Sequence, residues 1–213
     1  MGSWNDSIFW SINHWPQEWN SFLKFFSVAL SLPVVKIGLG LMLVGMIARN
    51  AKTRKAVILA LISIGIANTI TNVFKEGLPM NRPFQDMRYQ ELQKDGTWSE
   101  LKPAMVSQAS DRTMNLRVGD STSKGTASAH SANMAALAFA MCYFVRRWGT
   151  PWIAVALLTG ISRIYTGAHY PYQVLLGWGC GLFSALVVIK TWEAFVRMRN
   201  GVQSEEHESP ELA

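Results

Sequence analysis

The stretch Gly160–Gly177, GISRIYTGAHYPYQVLLG, sets Arg163, His169 and Gln173 between flanks apolar enough to lie in a membrane. Ionisable and polar groups at membrane depth are costly, and where they stand they face a bundle interior and do something there. The flanks, residues 151–168 and 173–192, each approach the length a helix needs to cross about 30 Å of hydrocarbon. They read as two consecutive spans joined by a polar turn.

Working outward, residues 130–146, 56–74 and 30–48 repeat the apolar pattern, the last interrupted by Lys36. Residues 4–29 are aromatic but broken by Asn, Asp, His, Pro and Glu, which suits an interfacial amphipathic helix anchored by Trp10, Trp15 and Trp19. The sequence therefore predicts an all-α, integral membrane helical bundle of about five transmembrane helices plus an N-terminal interfacial helix. One domain is expected over 1–200, with 84–127 as an extramembrane lid and 201–213 as a disordered tail.

Composition agrees with that class. Of 213 residues, 49% are hydrophobic and 16% charged, a low charge fraction for a soluble domain, and nine are tryptophan. The net charge of +6 is dispersed between apolar segments, so nucleic acid is not an expected partner. Cys142 and Cys180 sit inside apolar runs and read as small buried hydrophobes. The N-terminus lacks a basic start followed by an apolar core, so no cleavable signal peptide is expected.

With five spans, the basic loop 49–55, the Arg146–Arg147 turn and the Lys190–Arg199 stretch share one side, which the positive-inside rule makes cytoplasmic. Three polar islands then meet at the opposite mouth. They are KEGLPMNRP with Lys75 and Arg82, TASAHSAN with Ser128 and His130, and the opening stretch. Arginines grip phosphate oxygens with forked hydrogen bonds, lysine adds a point charge, and a helix start offers backbone amides. Two histidines complete the chemistry: one attacks phosphorus, and the other protonates the leaving oxygen and then activates water. No His-carboxylate cluster has metal-ligand spacing, so neither metal nor cofactor is expected.

These islands resemble the signature of the type 2 phosphatidic acid phosphatase superfamily: Lys, six residues, Arg-Pro; Pro-Ser-Gly-His; then Ser-Arg, five residues, His, three residues, Asp. Lys75 to Pro83 match the first part, and Ser162, Arg163 and His169 match the third. Ala127-Ser128-Ala129-His130 keeps the Ser and His of the second. The resemblance implies His169 as nucleophile and His130 as general acid. It further implies that Lys75, Arg82 and Arg163 bind the phosphoryl group, assisted by Ser128, Ala129 and the nearby amides.

The departure is Gln173, where the signature has Asp; SRIYTGAHYPYQV resembles the glucose-6-phosphatase and dolichyl-diphosphatase branches, which carry Gln there. An amide oxygen orients the ring but supplies less charge stabilisation than a carboxylate. The expected function is a metal-independent phosphatase of a lipid-linked phosphate or diphosphate, with a phosphohistidine intermediate and an active site facing the periplasm of a bacterial inner membrane. The substrate classes implied are undecaprenyl diphosphate, lipid A phosphate and phosphatidylglycerol phosphate. The alternatives are a lipid phosphotransferase of the same fold and a catalytically weakened phospholipid-binding protein.

Overall fold

The computed structural model describes residues 3–29, 32–105, 110–119 and 121–207. Two short helices open the chain, α1 (Ser3–Asn13) and α2 (Asn20–Val28), and α3 (Pro33–Arg49) and α4 (Ala51–Gly77) follow. The segment between α4 and the next long helix holds a single helical turn, α5 (Pro83–Asp86), and two strands, β1 (Met87–Glu91) and β2 (Ser110–Leu116). The chain ends with α6 (Ala129–Phe144), α7 (Arg146–Tyr165) and α8 (Pro171–His207).

Local chemistry sets the breaks. Pro33, Pro83 and Pro171 each stand first in a helix, where a missing N–H costs nothing. Asn50 is extended and caps α4, its side-chain oxygen accepting from the Thr53 amide at 2.9 Å. Gly167 takes a positive φ of 76° in the turn between α7 and α8, a conformation that suits glycine.

The Ala-rich α6 is the central post and packs against α4, α7 and α8. Small residues let these backbones approach: a Cβ on Gly181 would collide with the Ala132 carbonyl, and one on Gly177 would sit 2.5 Å from that of Ser128. Away from the polar mouth, Val57, Ala60, Leu137, Met141 and Ile189 form one apolar core. At the polar mouth, Phe9, Phe84, Met87, Tyr89, Met114, Leu116 and Tyr170 form a second.

Several expectations change. The chain is mostly helical, but segment 84–127 adds a two-stranded parallel sheet. Its strands alternate, with Met87 and Tyr89 buried around exposed Arg88, and Met114 and Leu116 buried on β2. Asn13 of α1 mimics a further strand: its amide donates to the Asn115 carbonyl and its oxygen accepts the Asn115 amide, both at 2.9 Å. The aromatic segment 4–29, expected as one interfacial helix, forms two, and Phe9 of α1 joins the second core. Arg146 and Arg147 begin α7, with only Val145 breaking the path from α6, so the expected basic turn is helical. The tail expected to be disordered from 201 continues α8 to His207; residues 208–213 lie outside the described residues, as do Leu30, Ser31 and the side chains of Lys36 and His207.

Among the described residues two helices, α4 and the Pro171–Gly201 part of α8, are by themselves long and apolar enough to cross a membrane. Gln17–Val28 and α3, bent by 59° at their junction, pass the same test together. With 16 residues, α6 is shorter than about 30 Å of hydrocarbon requires, and α7 carries Arg146, Arg147 and Arg163.

Candidate active site

All eight residues singled out from the sequence lie at one end of the α4–α6–α7–α8 bundle. Lys75 is in the last turn of α4 and Arg82 precedes Pro83 at the start of α5. Ser128, Ala129 and His130 open α6, Arg163 is in the last turn of α7, His169 is in the turn that follows, and Gln173 is in the first turn of α8. The two histidines share one electrostatic environment: His130 feels Arg163, Lys75 and Arg82, and His169 feels Arg163, Arg82 and His130.

The orientation of Gln173 fixes the state of His169. The Gln173 amide nitrogen donates to the Asn81 carbonyl at 2.8 Å, so its oxygen is the atom turned to the imidazole. That oxygen accepts from the Tyr170 backbone N–H at 3.1 Å and lies 3.0 Å from His169 Nδ1. An acceptor there requires Nδ1 to carry the hydrogen, which leaves Nε2 with a free lone pair. Burial, then the charges of Arg163 and Arg82, push the His169 pKa well below 6.5, which favours that neutral form.

The arginines are held by neutral acceptors. Arg82 donates from Nε to the Ser123 carbonyl and from Nη2 to the Ser123 hydroxyl, both at 2.8 Å. Arg163 donates from Nη1 to the Ser27 hydroxyl at 2.7 Å and the Ser27 carbonyl at 3.3 Å. Its own carbonyl accepts the amides of Ala168 and His169, which ties the His169 turn to the arginine. Among the described residues no carboxylate pairs with Lys75, Arg82 or Arg163. The Arg163 Nε is buried without a partner.

Ser128 proves to be the cap of α6. Its hydroxyl accepts from the Ser131 amide and hydroxyl, and its own amide donates to the Gln173 carbonyl at 2.9 Å. This last bond joins the start of α6 to the start of α8.

Several further residues join the site without any signal in the sequence. Ser27 and Ser123 hold the two arginines, and Asn81 holds the glutamine. Gly125 lies against them: a Cβ there would stand 2.7 Å from Arg82 Cγ and 2.9 Å from the Gln173 amide. Arg117 is a structural hub, bonded to the carbonyls of Asn13 and Tyr165 at 2.8 Å each and lying 4.0 Å over the Tyr165 ring. A lone arginine in a largely polar run gives no sign of such burial.

An apolar cleft of about 190 Å³ opens beside the site between α2, α3, α6 and α7. Phe25, Phe26, Leu39, Met134, Trp152 and Val155 line it, and His130 is its one ionisable wall. Its lining is apolar enough to admit a hydrocarbon chain.

A family model described as the PAP2 superfamily matches residues 56–197. The chain is 37% identical over 62 residues to the bacitracin transport permease protein BcrC of Bacillus licheniformis, which is 29% of this chain and 30% of that protein. It is 44% identical over 46 residues to the undecaprenyl-diphosphatase BcrC of Bacillus subtilis, which is 22% of this chain and 24% of that one. These matches span less than a third of either curated relative. Among solved structures, Aquifex aeolicus LpxE matches 89% of this chain and 96% of its own with a TM-score of 0.65 at 18% identity. The first transmembrane PAP2 type phosphatidylglycerolphosphate phosphatase from Bacillus subtilis matches 90% of this chain and 86% of its own with a TM-score of 0.61 at 20% identity. At those identities the likeness concerns the fold.

Proposed function

The chain belongs to the PAP2 superfamily, and on that premise we propose that it is a metal-independent membrane phosphatase acting on a lipid-linked phosphate or diphosphate. The observation that carries this reading is the junction of a carboxylate-free cation site with an apolar cleft at His130. A soluble phosphate ester would need only the first; a lipid phosphate uses both.

The phosphoryl group sits among Lys75, Arg82 and Arg163, with the amides of Ala129 and His130 at the α6 start as further donors. Three cations without a carboxylate partner are poorly compensated until an anion enters. The free Nε2 of His169 attacks phosphorus while the bond to the leaving oxygen breaks, and His130 supplies the proton that oxygen takes up. The phosphohistidine carries positive charge on its ring, and the Nδ1–H bond to Gln173 holds the ring in line. Water then attacks phosphorus, its proton returns to His130, and the N–P bond breaks. The ordered hydrogen bonds of Gln173 favour a working orienter over a weakened binding protein.

The substrate class we favour is a polyprenyl diphosphate, in line with the name of the Bacillus subtilis undecaprenyl-diphosphatase; the LpxE and phosphatidylglycerolphosphate phosphatase folds keep other lipid phosphates in the panel. A five-span arrangement in a bacterial inner membrane, with the site outward and the basic loops inward, accords with the positive-inside pattern. Phosphate release from undecaprenyl diphosphate, lipid A and phosphatidylglycerol phosphate, assayed in detergent with chelator present, tests the proposal. We expect release from at least one lipid and a loss of at least about 1,000-fold in His169→Ala. Release unchanged by that substitution, or abolished by chelation, refutes it.

A further inference from the structure

At the end of α4 remote from Lys75, two adjoining cavities of about 680 and 650 Å³ share Lys52, Lys55 and Trp192 as walls. Lys55 and Lys75 are about 30 Å apart along the helix at 1.5 Å per residue, so this is a second place in the molecule, not an extension of the first. Arg197 lines one cavity, and Arg54 and Arg199 line the other. Five cations thus surround the pair. The one carboxylate in the lining, Glu193, is already bonded to Lys190 at 3.0 Å and to the Tyr143 hydroxyl. Among the described residues none of the five cations forms an ion pair.

The cations do more than bias the sign of a loop. They come from the start of α4 and the far turns of α8, two segments distant in sequence, and they face a shared aromatic wall. The Lys55 ammonium lies 5.4 Å from the ring centroids of both Phe144 and Trp192. That contact holds a charge beside apolar surface, as at a membrane–water boundary. Ile58 continues the wall one turn along α4 and is 45% exposed. Cations, an aromatic shelf and an adjoining apolar face match the parts of a phospholipid in order: phosphate, glycerol and acyl chain.

The geometry points to a second, non-catalytic lipid site, in which the phosphate of an anionic phospholipid headgroup rests among Lys52, Arg54, Lys55 and Arg199. It does not depend on the phosphatase reading, because none of its residues belongs to the cation site at the other mouth.

The test uses the full chain in phosphatidylcholine nanodiscs titrated with phosphatidylglycerol, with retained lipid counted by native mass spectrometry. Wild type and Arg163→Ala should both retain phosphatidylglycerol in preference to phosphatidylcholine. The Lys52→Gln/Lys55→Gln double variant should bind about 25-fold more weakly, at about fivefold per cation removed. Lys52→Arg/Lys55→Arg, which keeps both charges, should restore binding and so separates a lost site from a lost fold. Equal retention by the Gln double variant overturns the proposal, as does loss of binding in Arg163→Ala. So does displacement of the lipid by millimolar inorganic phosphate, which would make free phosphate the ligand. Preference for phosphatidylglycerol that emerges only after residues 202–213 are removed would make the acidic chain end the occupant instead.

Discussion

The two mouths of the bundle are both rich in cations, and they treat them in opposite ways. At the α2–α5 side, Arg82 and Arg163 are buried and held by hydroxyl and carbonyl oxygens of Ser123, Ala168 and Ser27. At the far mouth, Lys55 leans on aromatic rings and one carboxylate stands nearby. A neutral acceptor aims a guanidinium without cancelling its charge, so the first mouth keeps its full attraction for an incoming anion. Exposed cations are screened and bind in proportion to their number. The first arrangement suits an anion gripped and transformed, the second one that is merely retained.

The sharpest way to break this contrast is to put a carboxylate into the first mouth. Gln173→Asp restores the residue type of the superfamily signature, yet here it should cost about 100-fold in kcat/KM. The Asn81 carbonyl, which accepts from the Gln173 amide at 2.8 Å, would lose its donor and face an anion. The Asp side chain is also one methylene short of reaching His169. A buried acceptor left unpaired costs about 1–3 kcal/mol, and about 1.4 kcal/mol is tenfold in rate. Steady-state kinetics decide: unchanged or improved turnover would mean the glutamine is an imperfect stand-in for Asp.

A smaller effect sharpens the same point. Ser27→Ala removes the hydroxyl that accepts from Arg163 at 2.7 Å and leaves only the longer carbonyl contact at 3.3 Å. Freed from that hold, Arg163 should grip phosphate less well, raising KM about tenfold for one charge-assisted hydrogen bond while kcat falls less. Ser27→Thr, which keeps the hydroxyl, should recover most of the loss. An equal fall in kcat and in folded yield for both variants would make Ser27 a packing residue only.

Ser27 also marks where the sequence stopped being legible. That Lys75, Arg82, His130, Arg163, His169 and Gln173 would gather at one end of the bundle was legible because they fall at helix ends in fixed spacings, in residue types suited to a phosphoryl group. The apolar segments were legible for the same kind of reason, since a periodic burial demand repeats over many residues. Ser27 reaches Arg163 across 136 positions and Ser123 reaches Arg82 across 41, and a lone serine in an apolar or polar run carries no such signal. The strands were hidden differently. Their alternation covers only five and seven residues, and β2 becomes a buried strand only when α1, far upstream, supplies Asn13 and Phe9 as its cover. The break at Val145 misled in the other direction: Arg146 and Arg147 were expected in a turn, yet they begin α7, which runs on through Gly149 and Pro151. A Cβ on Gly149 would collide with the Cys142 amide, so that glycine serves the close packing of α6 on α7.

The smallest effect is on pH dependence, and it follows from the uncompensated charge. In the mechanism we propose, His169 must be neutral for Nε2 to attack. Burial, Arg163 and Arg82 all disfavour the imidazolium, so its folded pKa lies well below the ordinary 6.5. For a histidine depressed in this way, the unfolded chain takes up the proton first as pH falls through 6.5. The group's contribution to stability is therefore full above 6.5 and declines below it. The catalytic consequence has the same sign: the acid limb of kcat/KM should lie below pH 6.5, with activity still near its plateau there. Gln173→Glu keeps the side-chain length and adds an anion beside Nδ1, which favours the imidazolium and should move that limb to higher pH. A wild-type limb above 6.5, or one that the Gln173→Glu substitution leaves in place, would mean that His169 is compensated by a negative group and that the two mouths are less different than their contacts indicate.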